Sequence, residues 1–121
     1  MPQTRPVKRD IYVDRNVTAV IDFYCVDEDG VIFDLTGYST TGDAVGTILP
    51  AAGRLELSPT ISDDTGGVIN ITLSKATTGG LVSTDGLPPD DVPNYDLLID
   101  LSGVTHKISY GKFYIVETLT T

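Results

Sequence analysis

Apolar and polar side chains alternate over four short stretches of the chain, residues 16–26, 68–73, 95–101 and 113–116. The apolar positions recur at every second residue and include many β-branched and aromatic side chains. This period is typical of half-buried β-strands, whose successive side chains point to opposite faces of a sheet. We expect the inward set to form the core: Ile21, Phe23, Cys25, Ile69, Ile71, Leu97, Ile99, Phe113 and Ile115.

Weaker strand patterns lie between these stretches, separated by turns rich in glycine and aspartate. The further expected strands are residues 31–33, 39–49, 54–58 and 105–110, with a bend at Gly111. No long helix alternates with the strands, which disfavours a parallel α/β sheet. About seven short strands at intervals of about 8–12 residues predict an all-β fold, an immunoglobulin-like antiparallel β-sandwich of about seven strands.

Two segments between the strands have their own signals. Ser74 is expected to cap a helical turn over residues 74–78, because its hydroxyl can accept a bond from a free backbone N–H. The following glycines, Gly79 and Gly80, would end that turn. Residues 83–93 are polar and rich in proline, which predicts an exposed loop.

Length and composition fit a single domain. The chain has 121 residues, which suits one core and is too short for two. Its one cysteine, Cys25, excludes an intrachain disulfide and is interpreted as a small buried hydrophobic residue. No apolar run is long enough to cross a membrane, and the N-terminus lacks the apolar core of a secretory signal. We therefore expect synthesis in a cytoplasm and no membrane partner.

Charge divides the chain into two parts. Residues 1–15 carry four basic and two acidic side chains, a net +2, and the remainder carries four basic and 15 acidic side chains, a net −11. An acidic body repels phosphate backbones, which argues against a nucleic-acid partner. We expect residues 1–9 to be a flexible basic arm and residues 10–121 to be the single sandwich domain. An arm and a body of opposite charge suit head-to-tail assembly.

Residues for catalysis or metal binding are sparse. His106 is the one histidine, lies next to an expected hairpin turn and is interpreted as an exposed strand residue, so neither a catalytic triad nor a zinc site is expected. The aspartate pairs 27/29, 63/64 and 90/91 fall in expected turns, where aspartates usually bond the local backbone. A weak calcium site at Asp27 and Asp29 remains an open alternative, although the later ligands of an EF-hand loop are missing. We expect no catalytic residue, cofactor or metal.

One ordered set of motifs resembles a known family. The stretch VDEDGVIFDLTGY (residues 26–38) is followed by VINITLS (68–74), YDLLID (95–100) and GKFYIV (111–116). In this order they resemble the N-terminal domain of the upper baseplate proteins of siphophages. The resemblance covers residues 10–117. It implies a small β-sandwich module of tailed-bacteriophage virions, assembled in the cytoplasm of a bacterial host.

The resemblance leads to a non-catalytic function. It implies a structural virion protein of the baseplate, tail, neck or capsid surface, acting through contacts with other virion proteins as a symmetric homo-oligomer. The alternative is a β-sandwich module that binds a glycan or a receptor, for which the candidate residues are tyrosines such as Tyr12, Tyr24, Tyr38 and Tyr114.

Two local expectations complete the sequence-based account. The arm, too polar to order itself on its own domain, should place Arg5, Lys8 and Arg9 on a neighbouring subunit. The complementary surface would be the loop 83–93 with its acidic residues Asp85, Asp90 and Asp91. In the DLTGY segment, Gly37 should adopt positive φ and Leu35 should be buried.

Overall fold

The computed structural model describes residues 6–117, which form an all-β fold of two sheets. The strands are β1 (Val7–Lys8), β2 (Ile11–Asp14), β3 (Ala19–Tyr24), β4 (Ser39–Val45), β5 (Arg54–Glu56), β6 (Thr60–Asp63), β7 (Val68–Leu73), β8 (Asn94–Leu101) and β9 (Val104–Val116). Short helical turns lie at α1 (Pro50–Gly53), α2 (Lys75–Gly79) and a 3₁₀ turn at Pro89–Asp91.

The larger sheet has the strand order β1-β9-β8-β4-β5, and β2 also pairs with β9. Strands β1 and β2 run parallel to β9 and occupy successive parts of it, while the other neighbours are antiparallel. The smaller sheet has the order β3-β7-β6 and is antiparallel throughout. Side chains of both sheets meet in one core, as expected for a sandwich.

The predicted register is confirmed. Eight of the nine expected core residues are buried, and Ile21 is partly buried and packs against the core. Leu35 is fully buried, and Gly37 has a φ of +84°, as the DLTGY segment predicts. The Ser74 hydroxyl accepts a bond from the N–H of Thr77 at 3.2 Å and caps α2.

Several predicted elements differ in the structure. Strand β9 runs without a break through Gly111, where the sequence predicts a bend. A side chain at Gly111 would run into the Arg9 carbonyl, so this glycine allows the N-terminal segment to approach closely. Residues 31–33 form no strand, and Ile32 makes only a single bridge to Val26. The loop 83–93 is only partly exposed, because Thr84, Val92 and Pro93 are buried.

Candidate assembly surfaces

The described part of the basic arm, residues 6–9, lies against its own domain. Val7 and Lys8 pair in parallel with Ser109 and Tyr110 of β9. The N–H of Arg9 continues the pairing with a 2.8 Å bond to the Tyr110 carbonyl. This differs from the free arm that the sequence predicts, because backbone pairing with β9 supplies the ordering energy that the polar side chains cannot.

Two buried hydroxyl groups hold this segment in place. The Tyr95 hydroxyl donates to the Arg9 carbonyl at 2.5 Å, and the Ser109 hydroxyl donates to the Val7 carbonyl at 3.0 Å. The two hydroxyl oxygens lie 2.8 Å apart. Burial raises the pKa of Tyr95, so its phenol stays a neutral donor at physiological pH. The arm therefore gives these buried hydroxyl groups two carbonyl acceptors in addition to the contact that they make with each other.

The basic residues predicted to lie at an interface differ in their surroundings. The Arg9 guanidinium donates to the Asp22 carbonyl at 2.7 Å and lies 4.7 Å from the centre of the Phe23 ring, so it contacts its own β3. Lys8 is exposed on β1, and Arg5 lies outside the described residues. Whether Arg5, Lys8 and Arg9 reach a neighbouring subunit stays a prediction.

The acidic residues of the predicted complementary loop are exposed on the surface. Asp85 accepts a bond from the Glu117 N–H at 3.2 Å, while Asp90 and Asp91 lie in the 3₁₀ turn. The Lys112 ammonium donates to the Pro89 carbonyl at 2.8 Å and ties the loop to β9. Whether this loop receives a neighbour's basic residues stays a prediction.

Three of the predicted turn aspartates, Asp27, Asp63 and Asp64, accept bonds from local backbone N–H groups, as the sequence predicts. Asp27 accepts bonds from the N–H groups of Asp29 and Val31 at 2.9 Å each. Asp34 accepts from the hydroxyl of Thr36 at 2.6 Å and from its N–H at 2.9 Å, and these bonds lower the pKa of Asp34. Among residues 6–117, no group of three or more acidic, histidine or cysteine side chains is placed to hold a metal ion.

Cys25 and His106 both face the interior. Burial raises the pKa of Cys25 to about 12, so the thiol is protonated and a poor nucleophile at neutral pH. His106 pairs with the inward-facing Ile99 and is half-buried beside the rings of Phe33 and Tyr38, which corrects the expectation of an exposed histidine. The hairpin register places it inside, and its Nε2 atom is buried without a hydrogen-bond partner.

One outer surface of the larger sheet combines tyrosines with lysines. The rings of Tyr12 and Tyr114 stack at 4.7 Å on paired positions of β2 and β9, and Tyr12 is 64% exposed. Lys8 lies beside Tyr110 in the β1–β9 pairing, and the Lys107 ammonium lies 5.5 Å from the centre of the Tyr110 ring. We call this surface the basic–aromatic face: Lys8, Tyr12, Lys107, Tyr110, Lys112 and Tyr114.

The outer surface of the smaller sheet has the opposite character. Tyr24 pairs with Val68, and Val26 is bridged to Ile32 just beyond the end of β3. Tyr24 is 70% exposed and Ile32 is 61% exposed. Acidic side chains flank these apolar ones, and β3, β6 and β7 contain no lysine or arginine. We call this surface the acidic–apolar face: Asp22, Tyr24, Val26, Glu28, Asp29, Ile32 and Val68.

Sequence reasoning identified some of these residues without identifying the faces. The acidic DEDG turn and the exposed tyrosines can be seen in the sequence. Lys8 lies beside Tyr110 and Lys112 because the two ends of the chain pair in parallel. The sequence has no local signal for this pairing.

Comparison with protein families and with curated proteins identifies no relative. The chain matches no model of a protein family, and no curated protein is significantly similar to it. In residues 6–117, no helix combines the length and apolar character needed to cross a membrane.

Proposed function

We propose that this protein is a non-catalytic structural component of a tailed-bacteriophage virion and acts through protein–protein contacts. The observation that carries the proposal is the pair of exposed surfaces, basic–aromatic and acidic–apolar, on opposite sheets of one small domain. Exposed apolar groups rimmed by charge are typical of protein-binding surfaces. The ordered motifs from residue 26 to residue 116, which resemble siphophage baseplate modules, support placing the protein in a virion.

The strand order supports the finer proposal that the sandwich is immunoglobulin-like. In such folds, strands C, F and G share one sheet and strands B, E and D share the other. Here β4, β8 and β9 are neighbours in the larger sheet, and β3, β7 and β6 are neighbours in the smaller one. The correspondence is by connectivity, because the chain has a single cysteine and no tryptophan.

Quantitative mass spectrometry of purified phage particles tests the proposal. The chain should co-purify with intact particles at a fixed copy number that is a multiple of the particle's local symmetry. Particles should retain it after washing in high salt, because an integrated subunit buries more surface than an adsorbed one. Absence of the chain from complete, infectious particles would contradict the proposal.

A second candidate function is binding of a glycan or a receptor. The stacked pair Tyr12 and Tyr114 favours it, because one ring of the pair is largely exposed at the edge strand β2. Sugars stack on open aromatic faces. Titration of the protein with cell-surface glycans of the host, followed by NMR, should shift signals at Tyr12 if this function is present. A Tyr12→Ala variant serves as the matched control.

A further inference from the structure

The acidic–apolar face presents apolar side chains without a partner among the described residues. Tyr24 and Ile32 are each more than half exposed; Tyr24 pairs with Val68, and Val26, two residues further along the chain, is bridged to Ile32. A contiguous exposed apolar patch on a small domain is typical of an interaction surface. The acidic–apolar face is therefore suited to form one side of a protein–protein contact.

Charge determines which partner fits this face. Its acidic side chains are Asp22, Glu28 and Asp29, and β3, β6 and β7 carry no lysine or arginine. Glu28 and Asp29 are exposed in the turn that follows β3. A partner must therefore offer apolar or aromatic area together with positive charge, since like charges in contact are repelled.

The basic–aromatic face of the same chain meets both requirements. Tyr12, Tyr110 and Tyr114 supply aromatic area, and Lys8 and Lys112 supply positive charge. Two acids share this outer surface: Asp96 is engaged by Lys107 at 3.4 Å, and Asp14 lies at the end of β2 beside Val116. The two faces are thus complementary in both respects.

One chain cannot bring its own two faces together. They lie on the outer sides of the larger and the smaller sheet, with the core between them. A contact between them requires a second copy, and it joins different surfaces on the two subunits. Such a heterologous contact repeats from copy to copy and closes into a ring or extends as a filament.

We propose that copies of this chain associate head to tail, with the basic–aromatic face of one subunit on the acidic–apolar face of the next. This inference rests on the proposed structural function and identifies the contact between copies through which the protein would assemble. It replaces the loop 83–93 with the turn after β3 as the acidic partner of Lys8.

A charge-exchange experiment on the full chain tests this contact. Variant A carries Lys8→Glu and Lys112→Glu, and variant B carries Glu28→Lys and Asp29→Lys. Sedimentation measures self-association at low salt over a range of concentrations. The parent protein should associate, and each variant alone should associate about tenfold more weakly or worse. An equimolar mixture of A and B should recover association beyond the A–B pair that their native faces form, because the reversed faces of A and B also meet with opposite charge.

Two further variants and a fold control make the result decisive. Asp90→Lys with Asp91→Lys adds positive charge to the loop that Lys112 bonds at Pro89, beside the basic–aromatic face, and should therefore not weaken association. Tyr24→Ser should weaken association without changing any charge. The thermal midpoint of every variant establishes that it is folded.

Three outcomes would overturn the inference: a monomeric parent at all concentrations, no recovery in the mixture, or disruption by the loop variant alone. The proposed function is tested separately. A chain that is monomeric alone but present in particles would remain a virion component held by other proteins.

Discussion

At the scale of single residues, the DLTGY segment depends on one backbone conformation. Gly37 has a φ of +84°, a region that side chains with a branched Cβ strongly disfavour. It follows the fully buried Leu35 and precedes Tyr38, whose N–H bonds the Leu35 carbonyl at 3.0 Å. The glycine therefore allows the chain to turn tightly between a core residue and β4.

Replacing Gly37 with valine should lower the free energy of unfolding by more than about 1 kcal/mol, because valine is strained at positive φ. Gly37→Asn should cost less, since asparagine tolerates this conformation better. Urea denaturation measures both changes. Equal stability of the valine variant and the parent would remove the structural reason for this glycine.

Cys25 should react slowly in the native protein. It is 3% exposed, and its raised pKa keeps the thiol protonated at pH 8. A thiol reagent should therefore label it at a rate that follows unfolding and rises steeply with urea. Rapid stoichiometric labelling without denaturant would show that the thiol is accessible.

At the scale of elements, two core hydroxyl groups hold β1 and the adjoining Arg9 to the domain by bonding the carbonyls of Val7 and Arg9. Tyr95→Phe removes one donor and leaves the Arg9 carbonyl short of a bond, and Ser109→Ala does the same at Val7. Each change should destabilise the fold by about 1 kcal/mol. Both should also speed amide hydrogen exchange at Arg9 more than at the middle of β7. Unchanged exchange at Arg9 would contradict this anchoring role.

The elements also divide according to how well the sequence predicts them. Strands β7 and β8 are central, and their alternating apolar positions read directly as strands. Strands β1, β2 and β6 are only two to four residues long and lie at sheet edges, so little alternation marks them. Residue 7 pairs with residue 109, and no local signal indicates a partner so distant in the chain.

The candidate surfaces, like the strands, are predicted from the sequence only in part. Composition indicated an acidic body, and the turn at Asp27 indicated where much of that charge lies. The register of the sheets then decided which side chains share a face. The sequence predicts Arg9 on a neighbouring subunit because a short basic segment has few apolar anchors of its own. It has no signal for the contacts that the guanidinium makes within its own chain, with Phe23 and the Asp22 carbonyl.

At the scale of the whole molecule, the N-terminal segment is expected to have two roles. Deleting residues 2–9 removes β1 and the carbonyls that Tyr95 and Ser109 bond. The lost contacts should lower the free energy of unfolding by about 1–2 kcal/mol. In a domain of this size, such a loss lowers the thermal midpoint by several degrees. Lys8→Glu alone should leave the midpoint nearly unchanged and reduce incorporation into particles. Normal incorporation of the Lys8→Glu variant would remove this residue from the assembly surface.

A density map of the complete phage particle is the decisive test of the structural function. The sandwich should fit symmetric density as repeated copies, with the acidic–apolar and basic–aromatic faces both covered by protein. A map in which all density is accounted for by other chains would contradict the structural function. A map with the domain present but both faces open to solvent would contradict the proposed contacts.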